Sequence, residues 1–245
     1  MKSKLPPASP HLMSEADFME SLVWLGQDPA LAMFEDRATF SENSVVDMLS
    51  ADERVKAKTI AEPGDRRHFV FRRCFQRCFL KTATHWPHAL SSLDIVHTRD
   101  KPPFCPGFPQ LSLSFSSSGN LAVAAASETS HVGVDVERVR QVENSLELAT
   151  RFFQSDETTY LKSVPESQRS MEFLTFWVIK EACLKAIGKG VIYGLDQFTI
   201  HRSKNVYHIV PPKEFGTSEN WRLEFPDSPS GHILGIVHYM PVSSG

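Results

Sequence analysis

The chain has 245 residues, 41% of them hydrophobic and 22% charged, enough to bury the core of one large domain or two modest ones. A formal net charge of −3 removes any whole-protein attraction to nucleic acid, so an anion site must be a local basic cluster. No stretch approaches the roughly 20 apolar residues of a membrane span. The four cysteines (Cys74, Cys78, Cys105, Cys183) contain no CxxC pair of the kind that holds zinc. With no apolar leader at the start, the expectation is a cytoplasmic protein.

The Pro- and Ser-rich first dozen residues read as a frayed end. Ser50-Ala-Asp-Glu53 has the spacing of a capping box and predicts a short helix to about Ile60. Asp65 is expected to cap a second helix over 66–84, in which aromatic residues alternate with arginines. Leu93–Val96 reads as a short strand, followed by the loop Arg99-Asp-Lys-Pro-Pro103. Leu111–Phe115 alternates as a half-buried strand does. Ser116–Asn120 carries turn residues, and Leu121–Ala126 returns as a more buried strand. His131–Glu137 is another alternating strand. Helices are predicted near 145–153 and 155–163, then a long one from Ser167 to Ile187 closed by Gly188. Strand candidates at 197–201, 205–210, 221–225 and 232–239 complete an α+β pattern.

Asp135 and Glu137 stand two apart on one strand and therefore share a face, with Val134 and Val136 turned inward. Paired oxygen donors suit a hard cation such as Mg²⁺. Taken alone, such a pair is more often a solvated strand face. On the long helix, Glu181 and Lys185 are four apart and share a face, with Lys180 beside them. By themselves they read as a surface ion pair rather than as a metal carboxylate next to a phosphate-binding lysine. Arg66, Arg73 and Arg77 cluster on one side of the basic helix, with Arg67 and Arg72 flanking, and read equally as a solvated helix face or as arginine forks that match phosphate oxygens.

Two segments together carry a resemblance: Gly133-Val-Asp-Val-Glu137 and Phe176-Trp-Val-Ile-Lys-Glu-Ala-Cys-Leu-Lys185. They resemble the G-[IV]-D-[IV]-E strand and W-x-x-K-E-[AS]-x-x-K helix of the surfactin-type 4′-phosphopantetheinyl transferases. Arg151–Glu157 is similar to that family's F-F-x-x-x-E segment, Lys101-Pro102 to its G-K-P loop, and Leu113-Ser-Phe-Ser116 to its strand ending in S-H-S. The likeness covers about residues 66–200.

The resemblance implies two similar α+β halves in a pseudo-twofold arrangement, divided here as 1–130 and 131–245, with the active site at their junction. It implies transfer of the phosphopantetheine arm of coenzyme A to a serine of an acyl or peptidyl carrier protein, with 3′,5′-ADP leaving. Mg²⁺ (or Mn²⁺) would be held by Asp135, Glu137 and Glu181. Coenzyme A would meet Arg66, Arg73, Lys101, Ser114, Lys180 and Lys185. Lys185 would stabilise the leaving phosphate, and Glu181 or Glu157 would take the serine proton. Phe152 and Phe153 would belong either to the carrier-docking surface or to the core. No membrane or nucleic-acid partner is implied, and the length suits a monomer. Two departures stand out: Phe115 occupies the histidine position of S-H-S, and Asp100 replaces the loop glycine. They leave open a second reading, a catalytically weak member that binds coenzyme A or carrier protein.

Overall fold

The computed structural model describes residues 14–20, 22–27, 30–35, 45–98, 101–190, 193–204, 206–229 and 231–241. The first part of the chain forms α1 (Glu15–Glu20), β1 (Val23–Gln27), β2 (Ala30–Glu35), α2 (Ala51–Thr59), α3 (Pro63–Ala83), β3 (Ser112–Ser118) and β4 (Leu121–Ser127). The rest forms β5 (His131–Arg138), α4 (Ser145–Phe152), α5 (Ser155–Ser163), α6 (Glu166–Ala186), β6 (Thr199–Ser203), β7 (Val206–Val210), β8 (Trp221–Glu224) and β9 (His232–Tyr239). The architecture is α+β.

Local chemistry sets the boundaries. Both halves of the capping box form at α2: Glu53 N–H donates to Ser50 Oγ, and Ser50 N–H donates to Glu53 Oε2. The start of α3 departs from expectation. Pro63 opens the helix with its preset φ, and Asp65 lies in the first turn rather than at the cap. At the end of α6, Gly188 takes φ +68°, and the Lys189 N–H to Leu184 and Gly188 N–H to Lys185 bonds close a Schellman turn. Leu93–Val96 is not a strand. A 3₁₀ turn covers Leu90–Ser92, and Val96 makes a single bridge to Phe104. The β3–β4 turn is also tighter than expected, two residues with Gly119 at φ +61°, so Ser116–Ser118 lie within the strand. The hairpin β1–β2 was not expected; it adds to β4 as an antiparallel extension.

Strands order as β1-β2-β4-β3 in one sheet and β5-β9-β8 in a second, with β6-β7 as a separate hairpin. α3 covers one face of the first sheet. Its Phe71, Phe75 and Phe79, spaced four apart, pack with Phe18 and Phe34 over Ala122, Ala124 and Ala126. The other face, with Leu31, Met33, Leu121, Val123 and Ala125, packs against Val132, Val134, Val136, Leu234 and Ile236 of the second sheet. α6, which like α3 has 21 residues, covers the far side. The layers therefore run helix, sheet, sheet, helix. No described helix is long and apolar enough to cross a membrane.

The two sheets meet along a seam of serines. The free-edge N–H groups of Val132, Val134, Val136 and Arg138 donate to the hydroxyls of Ser112, Ser114, Ser116 and Ser118, at 3.0, 2.9, 3.4 and 2.9 Å. Alternate residues on β3 share a face. The serines thus point at β5, while Leu113 and Phe115 face α3. The edge of β5 is satisfied without a backbone partner on that side.

Candidate active site

Gly133 brings the site together. A Cβ built there would lie 1.8 Å from the carbonyl oxygen of Ala182 and 2.7 Å from the amide nitrogen of Ala186. The backbone of α6 thus passes directly over β5, and only glycine leaves room for it. Ala182 and Ala186 are the chain neighbours of Glu181 and Lys185. The same close approach therefore sets those two side chains against Asp135 and Glu137.

Lys185 Nζ donates to Asp135 Oδ1 at 2.6 Å and to the carbonyl oxygen of Val134 at 3.1 Å. Ser116 Oγ donates to the same Oδ1 at 2.7 Å. Asp135 Oδ2 is buried and has no hydrogen-bond partner among the described residues. Burial raises the Asp135 carboxyl above its ordinary value, outweighing the attraction of Lys185. Burial also raises Glu181, and the charges of Asp135 and Glu137 add to the effect. Glu137 accepts from Ser118 Oγ at 3.2 Å and from Arg140 at 3.0 Å. Among the described residues no group of three or more His, Cys, Asp or Glu side chains is placed to hold a metal ion; Lys185 engages Asp135 and Arg140 engages Glu137. The buried orphan oxygen of Asp135, beside a Glu181 carboxyl raised by burial and then by the charge of Asp135, nevertheless suits an added cation, which would satisfy the one and offset the repulsion on the other.

Two clefts adjoin this centre. One, of about 230 Å³, lies between α3 and the edge of β3, with Arg72, Arg73, His97, Phe115 and Ser116 on its walls. Ser116 links it to Asp135. The other, of about 850 Å³, includes Lys101, Pro102, His131, Lys185 and Lys189. Phe115 presents its ring edge to Phe79 and lies tilted against His97.

The sequence profile of the 4′-phosphopantetheinyl transferase superfamily matches residues 131–237, the stretch that carries all three carboxylates and Lys185. The 4′-phosphopantetheinyl transferase HetI of Nostoc sp. is 32% identical over 180 residues, 69% of this chain and 76% of its own length. The chain belongs to this family. A 4′-phosphopantetheinyl transferase of Bacillus subtilis is 26% identical over 171 residues, 69% of this chain and 72% of its own. The psf-1 transferase of Bacillus pumilus is 36% identical over 97 residues, 40% of each chain.

Within this family member, three residues expected at the site lie elsewhere. Glu157 and Lys180 form a fully buried ion pair at 2.7 Å, inside the layer between α5 and α6. Lys180 also donates to the carbonyls of Leu195 and Phe198. Glu157 accepts from the Gln154 and Ile200 N–H groups at 2.7 and 2.6 Å. With its oxygens so engaged and no solvent path, Glu157 is not placed to take a proton from a substrate, and Lys180 is not placed to meet a phosphate. Ser114 is buried too, its hydroxyl engaged by the Val134 N–H. Lys180→Ala is expected to cost about 3–5 kcal/mol by stranding a buried carboxylate, read from urea denaturation. The turnover of the molecules that remain folded should match wild type. A large loss of turnover at unchanged stability would return Lys180 to the site.

Arg77 is also structural. It is buried, with Nε on Glu53 Oε2 at 2.7 Å and its fork on the carbonyls of Leu90 and Leu93. Arg73 lies half-buried on the smaller cleft, and Lys101 is exposed on the larger. Arg66, half-buried at the head of α3, lines neither of these clefts. Phe153 is core, stacked on Phe173 at 5.2 Å, and Phe152 is half-buried with its edge against Trp177. Asp100 lies outside the described residues. Sequence reasoning missed Ser116 and Ser118, which support Asp135 and Glu137, although the serines at 112, 114, 116 and 118 show the period of two that would have grouped them.

Proposed function

We propose that this protein transfers the 4′-phosphopantetheine arm of coenzyme A to the serine hydroxyl of an acyl or peptidyl carrier protein, releasing 3′,5′-ADP. The observation that carries the reading is the backbone contact at Gly133, which seats Glu181 and Lys185 against Asp135. Asp135, Glu181 and Glu137 would hold Mg²⁺, with Mn²⁺ as a substitute. When bound, the ion would neutralise charge on the pyrophosphate.

The protein's own side chains account for the rest. Arg73 and Lys101 meet coenzyme phosphates from the two clefts, with Arg66 as an outer contact at the head of α3. The serine oxygen forms a bond to the β-phosphorus as the bond to 3′,5′-ADP breaks in line. Glu181, raised toward neutrality by burial and by its acidic neighbours, accepts the serine proton. Lys185, with its side chain 27% exposed, can turn its ammonium to the charge growing on the leaving phosphate. Both halves lie in one chain, so the working unit is the monomer. The four free, buried cysteines suit a reducing cytoplasm.

The test is intact-mass measurement of an apo acyl carrier protein and an apo peptidyl carrier domain after incubation with coenzyme A and Mg²⁺. The expected result is a gain of one phosphopantetheine group that EDTA prevents. Phe115, an apolar ring on a cleft walled by arginines, favours the second reading of binding without efficient transfer. Coenzyme A binding with no mass gain on either carrier would select it.

A further inference from the structure

The bridge of Val96 to Phe104, with bonds of 2.9 and 3.1 Å, closes a loop whose two ends face different clefts. His97 follows the bridge directly and stands on the smaller cleft, while Lys101 stands on the larger. No motif reaches His97, and the reaction described above does not use it. The walls of its cleft carry the guanidinium groups of Arg72 and Arg73 and the hydroxyls of Ser116 and Ser117, and no carboxylate. The nearby Glu53 is engaged by Arg77 and the α2 cap and lies 3.7 Å from Arg73 Nε, which leaves the rest of the Arg73 fork and Arg72 for an anion. Such a cleft selects an anion.

We infer that His97 is a binding residue for a phosphate of coenzyme A, donating from the loop side of the cleft opposite Arg72 and Arg73. This rests on the transferase reading for the identity of the ligand. The ring is open to solvent on its outer side and lies 6.3 Å, centre to centre, from Phe115 on its inner side. The charged groups acting on it are Arg73 and Arg77 from α3 and Glu53 and Lys56 from α2. Burial first, then Arg73, pushes its imidazole down to about 4, so the free protein presents a neutral N–H donor. An arriving phosphate offsets the repulsion from Arg73 and strengthens that donor.

Isothermal titration of coenzyme A into the full chain, in EDTA, tests this. His97→Ala is expected to weaken binding by about tenfold or more, as loss of a hydrogen bond to a charged group does, with thermal melting unchanged. His97→Gln keeps an N–H donor and is expected to lose less. Phe115→His in the His97→Ala background is expected to restore most of the affinity, because the new imidazole faces the same cleft. A purely packing role for His97 would not produce that rescue. Equal affinity of wild type and both His97 variants overturns the inference, as does a wild-type protein without measurable affinity for coenzyme A. Wild type that binds coenzyme A but leaves both carriers unmodified would fail the transferase reading, and the calorimetric comparison would still decide His97.

Discussion

Gly133→Ala is expected to yield protein that does not fold stably. The added methyl would sit 1.8 Å from a helix carbonyl oxygen and 2.7 Å from a helix amide nitrogen. Both atoms are backbone, so no rotamer change relieves the clash. β5 cannot retreat either, since it is paired with β9 over all eight residues and tied to β3 by the serine seam. α6 must therefore lift, opening gaps around Val178, Ile179 and Ala182, which are fully buried. Overpacking of 1–3 kcal/mol and the resulting voids add up to about 4–5 kcal/mol or more, a large share of the 5–15 kcal/mol that holds a domain together. Soluble yield and the urea midpoint measure it. Gly235→Ala is the internal comparison. The atom it would crowd, at 2.7 Å, is Cγ1 of Val178, a side-chain end that can turn away, so a cost of about 1–3 kcal/mol is expected. A Gly133→Ala protein as stable as wild type would refute the backbone contact.

Glu181→Gln is expected to stop transfer while making the metal-free protein more stable. Its carboxyl is raised by burial and then by Asp135, so folding disfavours the ionised form. For a raised carboxylate the cost is fully present above the folded-state pKa and is relieved as pH falls through it toward the lower unfolded-state value. Glutamine removes that cost, so the gain in melting temperature in EDTA should be largest at neutral to alkaline pH and shrink in acid. Mg²⁺ should raise the melting temperature of wild type and leave the variant unmoved. On the proposed roles of Glu181 as metal carboxylate and proton acceptor, its loss is expected to cut transfer on the order of 10³-fold, several kcal/mol of barrier. Transfer within tenfold of wild type would remove Glu181 from the centre.

The parts of the site that were legible in the sequence are those encoded by local period. Asp135 and Glu137 share a face because strands alternate, and Glu181 and Lys185 share one because helices turn every 3.6 residues. The capping box at Ser50 and the Gly188 stop are likewise local and fell where the pattern put them. What was not legible depends on partners distant in the chain. Lys180 and Glu157 looked exposed and reactive until the fold buried them on each other. Arg77 looked like one more basic residue on a helix face until the 3₁₀ turn at Leu90–Ser92 offered it carbonyls. β2, Ala-Leu-Ala-Met-Phe-Glu, lacks alternation because both its faces are covered, so only its pairing with β4 makes it a strand. Ser116 and Ser118 carry turn-forming side chains, yet their hydroxyls serve the neighbouring strand instead.

The seam between β3 and β5 also works as an index between the two sheets. Its teeth are hydroxyls at every second residue on one strand and amides at every second residue on the other. A slip of one residue would bring Leu113 and Phe115 to the edge of β5 in place of serines, and each of the buried N–H donors of Val132, Val134 and Val136 left unmet would cost about 1–3 kcal/mol. The next permitted setting is two residues away, about 6.6 Å along the strand. It would strand one amide and carry Ser116 away from Asp135. The cleft wall on β3 and the carboxylates on β5 are therefore held in stepped alignment. Any opening of the molecule must occur as rotation about the seam, not as sliding along it.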